Sequence, residues 1–221
     1  MKLKKKHYIC IMYKFLFFLI VFIMSNISFS QTEEIDEYFY EVAYKSEFNQ
    51  KIYSKKWNSD VKIYICDYKN DNKYKDSLNK TMDTLKNETI KIISELNDIV
   101  GSINFTLVED SLLANFYIFL GSSNWYNKVV PQTIPYTKGN YGLGWVILKN
   151  NIIVRSYVFV DTYRISTIKE KKHLLREEIT QSLGLFNDSW KYPTSIFYQG
   201  WTDVIEYSEI DKKIISKLYN N

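Results

Sequence analysis

Histidine is nearly absent from this 221-residue chain, which holds only His7 and His173. Past residue 30 only His173 remains, so a zinc site with three histidine ligands, or even two, is excluded there. Cysteine is equally scarce. Of Cys10 and Cys66 only the second lies beyond the N-terminal segment, and a lone cysteine cannot close an internal disulfide, so the domain must be held by its core. No repeat or low-complexity linker divides the chain. A strong charge of one sign is missing too. The formal net charge is +4, but five of the 29 basic residues (Lys2, Lys4, Lys5, Lys6, Lys14) fall in the first thirty positions, which hold no acid. That leaves 24 basic against 25 acidic residues from Gln31 onward, a net charge of −1, and nothing that marks a nucleic-acid binder.

The first thirty residues have the layout of a secretory signal: a basic start, an apolar run from Phe15 to Met24, then the small residues Ser28 and Ser30. Cleavage before Gln31 is expected. The alternative is an uncleaved anchor, but the run falls short of the ~20 apolar residues that a spanning helix needs. No cysteine follows the small residues, against a lipid-anchored form. The expectation is a secreted or periplasmic protein, with no membrane partner once the signal is removed.

Three regions follow: the signal at 1–30, a helical lead at 31–59 with apolar spacing at Ile35, Tyr38 and Val42, and one domain at 60–221. In that domain Val61 to Cys66 alternates as a half-buried strand. Asp67 to Lys73 reads as a polar turn. Tyr74 to Val100 is the longest helix, with Leu78, Met82, Leu85, Ile92, Leu96 and Ile99 at three- and four-residue steps and Gly101 as its stop. Ile103 to Val108 and Ala114 to Leu120 read as strands, the second covered on both faces. A long irregular segment with Pro131 and Pro135 comes next, then strands Tyr141 to Leu148 and Ile152 to Val160 around a turn at Lys149, Asn150 and Asn151. A helix spans Ile168 to Leu183, a loop 185 to 207, and a short helix Glu209 to Leu218. The class is α+β, helices packed on a mixed, twisted sheet of about five strands.

Residues 173 to 188, His-Leu-Leu-Arg-Glu-Glu-Ile-Thr-Gln-Ser-Leu-Gly-Leu-Phe-Asn-Asp, keep the spacing of the zinc-protease pattern H-E-x-x-H-x-x-G-x-x-H. Glu178 falls on the general-base position and Gly184 on the turn glycine. The ligand positions carry Glu177, Gln181 and Asn187. Neutral amide oxygens compete poorly with water for zinc. On a helical wheel Leu175, Ile179, Ser182 and Leu183 share a core face, while Leu174, Glu177, Glu178 and Gln181 share a face able to line a cleft.

With these residues in register, the chain resembles the metzincin clan of zinc peptidases, particularly its matrix-metalloprotease-like members. Leu183-Gly184-Leu185 resembles the glycine turn after the clan's active-site helix. Ser195-Ile196-Phe197 is similar to the methionine turn beneath the metal, with Phe197 in place of methionine. Ser208 through Tyr219 resembles the last helix of the clan. The Arg176-Glu177-Glu178, Gln181, Leu183-Gly184-Leu185 and Asn187-Asp188 core also resembles an uncharacterised family of secreted bacterial domains of unknown function. The resemblance implies a zincin fold, not a working peptidase.

Glu178 without an ion has only ordinary water to activate, and a lone general base supplies ~10²- to 10⁴-fold. A structural carboxylate is the plainer reading. His173, Glu177 and Asp188 form a weak alternative metal set of one nitrogen and mixed oxygens. Glu177 and Glu178 point about 100° apart on a helix and are poorly placed to share a proton. No Gly-x-Ser-x-Gly is present, and Cys66 lies in a strand pattern. No cofactor is expected. Gly139 to Gly144 lacks the lysine of a phosphate loop and reads as an edge strand beside the cleft, able to pair with an extended peptide. Leu174, Gln181, Tyr141 and Trp145 are expected to border that groove. The expected role is that of an inactive homologue binding a peptide or cell-envelope polymer; the alternative is a hydrolase using Glu178 with an unconventional metal or none.

Overall fold

The computed structural model describes residues 33–45, 55–66 and 75–220, with side chains of the long helix from residue 80 onward. The expected signal segment, the turn at Asp67 to Lys73 and most of the lead between 46 and 59 lie outside the described residues. The chain divides into two compact units, Met1–Tyr38 and Phe39–Asn221. Helix α1, at 33–44, crosses that boundary. Among the described residues no helix is long and apolar enough to cross a membrane.

The second unit is mixed α/β, built on one five-stranded sheet. Its strands are β1 (Val61–Cys66), β2 (Phe105–Leu107), β3 (Phe116–Gly121), β4 (Gly142–Lys149) and β5 (Ile152–Asp161), in the order β2-β1-β3-β5-β4. The first four strands of that order run parallel, and β4 is antiparallel to β5 at the edge. Parallel strands need crossovers. Helix α2 (Lys75–Val100) supplies one between β1 and β2, burying Leu85, Ile92, Leu96 and Val100 along one stripe and ending at Gly101, whose φ of 65° continues no helix. The β4–β5 hairpin turns through two residues only, Asn150 (φ 53°) and Asn151 (φ 63°), and Lys149 closes β4 instead of joining the turn.

The segment expected to be irregular after Gly121 is ordered. It forms α3 (Ser123–Val129), a 3-10 turn at Pro131–Thr133 and α4 (Ile134–Thr137). Side-chain bonds among Asn127, Thr133 and Thr137, at 2.8 to 3.2 Å, hold these turns together. Such bonds have no hydrophobic period, so periodicity could not reveal them. Tyr126 of α3 inserts with Phe119, Val130, Leu143 and Phe159 in a core cluster, against which Cys66 also packs. This cover explains why β3 is apolar on both faces.

Helix α5 (Ile168–Gln181) opens on a capping box of Thr167 and Glu170 and crosses beneath β5 and β4. It stops two residues earlier than periodicity predicts. Gly184 has φ 124°, and a Cβ there would overlap the carbonyl oxygen of Lys55. Trp57 Nε1 donates to Ser182 O at 3.0 Å and Tyr219 Oη to Leu183 O at 3.0 Å, satisfying carbonyls at the helix end. Helix α6 (Glu209–Tyr219) closes the chain.

Candidate functional site

Eight consecutive residues of α5, His173 to Thr180, are buried although half of them can carry charge. A helix so polar can be buried all round only if each side meets polar partners. On the side facing α2, the guanidinium of fully buried Arg176 donates to Glu88 at 2.9 Å and to Glu95, and lies 4.5 Å from the Tyr207 ring centroid. Lys172 adds a contact to Glu88 at 3.0 Å. Burial works to raise the Glu88 pKa, but the hydrogen bonds from Arg176 and Lys172 outweigh it and hold the carboxyl below its usual range.

The other side of α5 floors a cleft of about 540 Å³. The cleft is walled by β4 and the residues leading into it, and by the loop carrying Tyr198 and Trp201. Glu178, 6% exposed, lies against the start of β4. Gly142 and Gly144 make that approach possible: a Cβ on Gly142 would intrude on Glu178 Oε1, and one on Gly144 would sit 2.7 Å from Ser182 Oγ. Leu174, Glu177, Glu178, Gln181, Tyr141 and Trp145 all line this one cleft, with His173 and Asp188. Ser182, buried as the wheel expects, also contributes to the lining.

The residues at the three ligand-spaced positions are engaged with neighbours. Glu177 Oε2 is 3.4 Å from His173 Nε2. Burial pushes the His173 pKa down, against a hydrogen bond to the Val204 carbonyl, which at 2.7 Å places the proton of the neutral ring on Nδ1. Gln181 Nε2 donates to Asp188 Oδ1 at 2.8 Å. Asn187 stands outside the cleft lining; its backbone N–H donates to Val42 O at 3.1 Å and its Nδ2 to Asp188 O at 2.6 Å. Among the described residues no group of three or more His, Cys, Asp or Glu is placed to hold a metal ion, so the set His173, Glu177 and Asp188 does not assemble. The donor set does not fit a zinc site.

Ser195, Ile196 and Phe197 lie buried and outside the cleft lining. Asp211, which forms the capping box of α6 with the N-cap Ser208, organises them: it accepts from Ser195 Oγ at 2.5 Å, from Ile196 N at 3.2 Å and from Ser208 N at 2.8 Å. Burial raises its pKa in spite of these donors. Sequence reasoning gave no structural role to Asp211, Arg176 or Arg164. Arg164 pairs with buried Asp161 and donates to the carbonyls of Thr137, Lys138 and Asn140, fixing the chain just before β4. A usable signal existed for Arg176 alone, since Glu88 and Glu95 are seven residues apart and share one face of α2.

Residues 32–221 match the family described as "Protein of unknown function (DUF2927)", and the chain belongs to that family. Among curated proteins none matches the chain. Among solved structures, that of Myroilysin is similar with 13% sequence identity and a TM-score of 0.42, over 81% of this chain and 92% of that one.

Proposed function

We propose that this DUF2927 member is an exported, zincin-like domain whose ligand-spaced positions carry no histidine, and that it acts as a non-catalytic module holding an extended chain in its cleft. The observation that carries the reading is the position of β4: it is the last strand of the sheet, no described strand pairs with its outer edge, and its first half walls the cleft. An unpaired edge offers a row of N–H and C=O groups to an added strand, with affinity from the main chain and selectivity from the side-chain pockets. Of the two expected ligand classes, this favours a peptide over a cell-envelope polysaccharide, which cannot continue a backbone ladder. The zincin-like assignment is supported by the spacing of Glu178 and Gly184.

Hydrogen exchange tests the reading directly. Adding a pool of unstructured peptides should slow exchange of amides in Gly142–Lys149 more than in β1; equal or no change would refute strand addition. The competing hydrolase reading draws on the burial of Glu178 in the cleft wall. It fails if Glu178→Gln leaves hydrolysis of a broad peptide library unchanged, and its metal-dependent form fails if elemental analysis of protein purified without chelators finds no stoichiometric metal.

A further inference from the structure

The two walls of the cleft meet through a pair of aromatic rings. Tyr141, which leads into β4, and Trp201, on the loop of the opposite wall, lie edge to face with centroids 5.9 Å apart. Both reach the surface, 41% and 59% exposed, so the contact stands at the mouth of the cleft.

The two rings are held in different ways. Tyr141 is fixed to the frame: its carbonyl accepts from Asp161 N at 2.7 Å, and the Arg164 guanidinium lies 4.8 Å from its ring centroid. Arg164 is itself bound to Asp161 and to three carbonyls just before β4. Trp201 belongs to the segment 200–206, which forms no helix or strand and in which no residue is buried. Among the described residues, no backbone-to-backbone hydrogen bond ties 200–206 to another segment. Side chains hold it instead. Trp201 Nε1 donates to Glu170 Oε1 at 3.1 Å, Lys169 pairs with Asp203 at 2.6 Å, Lys91 with Glu206 at 3.2 Å, and the His173 ring donates to Val204 O at 2.7 Å. The two lysine pairs are exposed, and such pairs contribute little.

The ends of the segment are anchored more firmly: Gln199 N donates to Ser189 O at 3.0 Å, and buried Tyr207 bonds Thr180 at 2.7 Å. A stretch with no buried residue and no backbone ladder, strung between two fixed ends, opens at far lower free energy than the fold as a whole. Glu170, Leu174 and Glu178 follow at four-residue steps along one side of α5. Trp201, bound to the first, therefore stands at the end of the row that Leu174 and Glu178 continue into the cleft floor.

We propose that segment 200–206 is a gate over the cleft: Trp201 closes against the fixed Tyr141 ring and swings away with its segment to admit a ligand. The structure is the closed state. The proposal deepens the reading of β4 as a peptide-pairing edge, on which it rests for the kind of chain that enters.

Thiol labelling of the cleft floor tests the gate with no ligand present. In a Leu174→Cys protein whose circular dichroism matches the parent, a bulky maleimide should label the introduced thiol slowly, followed on its own peptide by mass spectrometry so that the native cysteines do not interfere. Adding Trp201→Ala should speed labelling on the order of tenfold. Adding Lys169→Ala, which loosens the segment from outside the cleft lining, should speed it about two- to fivefold, the factor carried by an exposed ion pair. Gln181→Cys, on the same floor, is the second probe, with the same expectations. Labelling as fast as that of a free peptide thiol before either addition refutes the gate. So does acceleration by Trp201→Ala with none by Lys169→Ala, which would make Trp201 a static wall, and so does no acceleration by either. A refuted gate leaves strand addition standing, and a failure of peptides to slow exchange in β4 leaves the labelling result untouched.

Discussion

The two sides of α5 use charge in opposite ways within one helical turn. Toward α2, Arg176 sits between Glu88 and Glu95 with Lys172 beside it, so positive and negative groups meet within the protein. Toward the cleft, Glu177 and Glu178 are nearly as buried, yet their side of the helix adjoins open volume, the His173 ring and the amide of Gln181. Removing one member of a buried ion pair leaves an uncompensated charge, whereas a cleft carboxylate can be replaced by an isostere at small cost. The first side is architecture. The second sets its carboxylates in the wall of the cleft.

The largest test of that contrast is Arg176→Ala. Loss of the guanidinium removes one of the two cations that hold buried Glu88, and breaking such a pair costs ~3–5 kcal/mol. For a domain of this size the melting temperature should fall on the order of 10 °C. Glu178→Gln should shift it by less than a third as much. Similar losses for both variants would erase the distinction between the two sides.

Gly184→Ala tests the turn that ends α5. The glycine's φ of 124° is open to few other residues, and an added Cβ would overlap backbone at Lys55. A forced backbone conformation of this kind costs about 1–3 kcal/mol. Chemical denaturation should show that loss, with no comparable loss for Gly139→Ala, where a Cβ meets nothing within 4 Å.

Acid separates the two sides by pH. His173 has its folded pKa below the ordinary 6.5, so just under pH 6.5 the unfolded chain binds the proton first. Its stability contribution is present above pH 6.5 and is lost as pH falls toward the folded value. Glu88 has its folded pKa below 4.5; its contribution is present above pH 4.5 and is lost only on further acidification. Melting temperatures should therefore decline in two windows. His173→Gln should flatten the upper one and leave the lower, and Glu88→Gln the reverse. One shared window would show that the two sides titrate as a unit.

Much of this frame was legible in the sequence. The strand Val61–Cys66, the long helix ending at Gly101, the hairpin and the spacing of Glu178 and Gly184 each follow from a local period or a turn residue. Where the reading stopped, the determinants were tertiary. Helices α3 and α4 depend on a side-chain knot and on burying Tyr126 against the sheet, and neither leaves a periodic trace. Ser182 is buried as the wheel expects, but a wheel carries no information about what covers it, the edge strand at Gly144. Tyr198 and Trp201 enter the cleft from a loop, and the anchoring of the loop's buried turn by Asp211 joins residues with no shared pattern.

Gly142→Ala carries the smallest expected effect on stability and the sharpest one on the cleft. The atom it would meet is Glu178 Oε1, at the end of a side chain that can swing, so the cost should be about 1 kcal/mol. The same change in a Glu178→Ala background removes the obstacle. If the carboxylate is truly seated on the glycine, the two substitutions couple, and the double variant should be more stable than the sum of the singles by more than ~0.5 kcal/mol. Strict additivity would mean that the space beside Gly142 is not shaped by Glu178. The two glycines of the edge strand would then serve packing alone, and the cleft side of α5 would lose the feature that separates it from the side bound to α2.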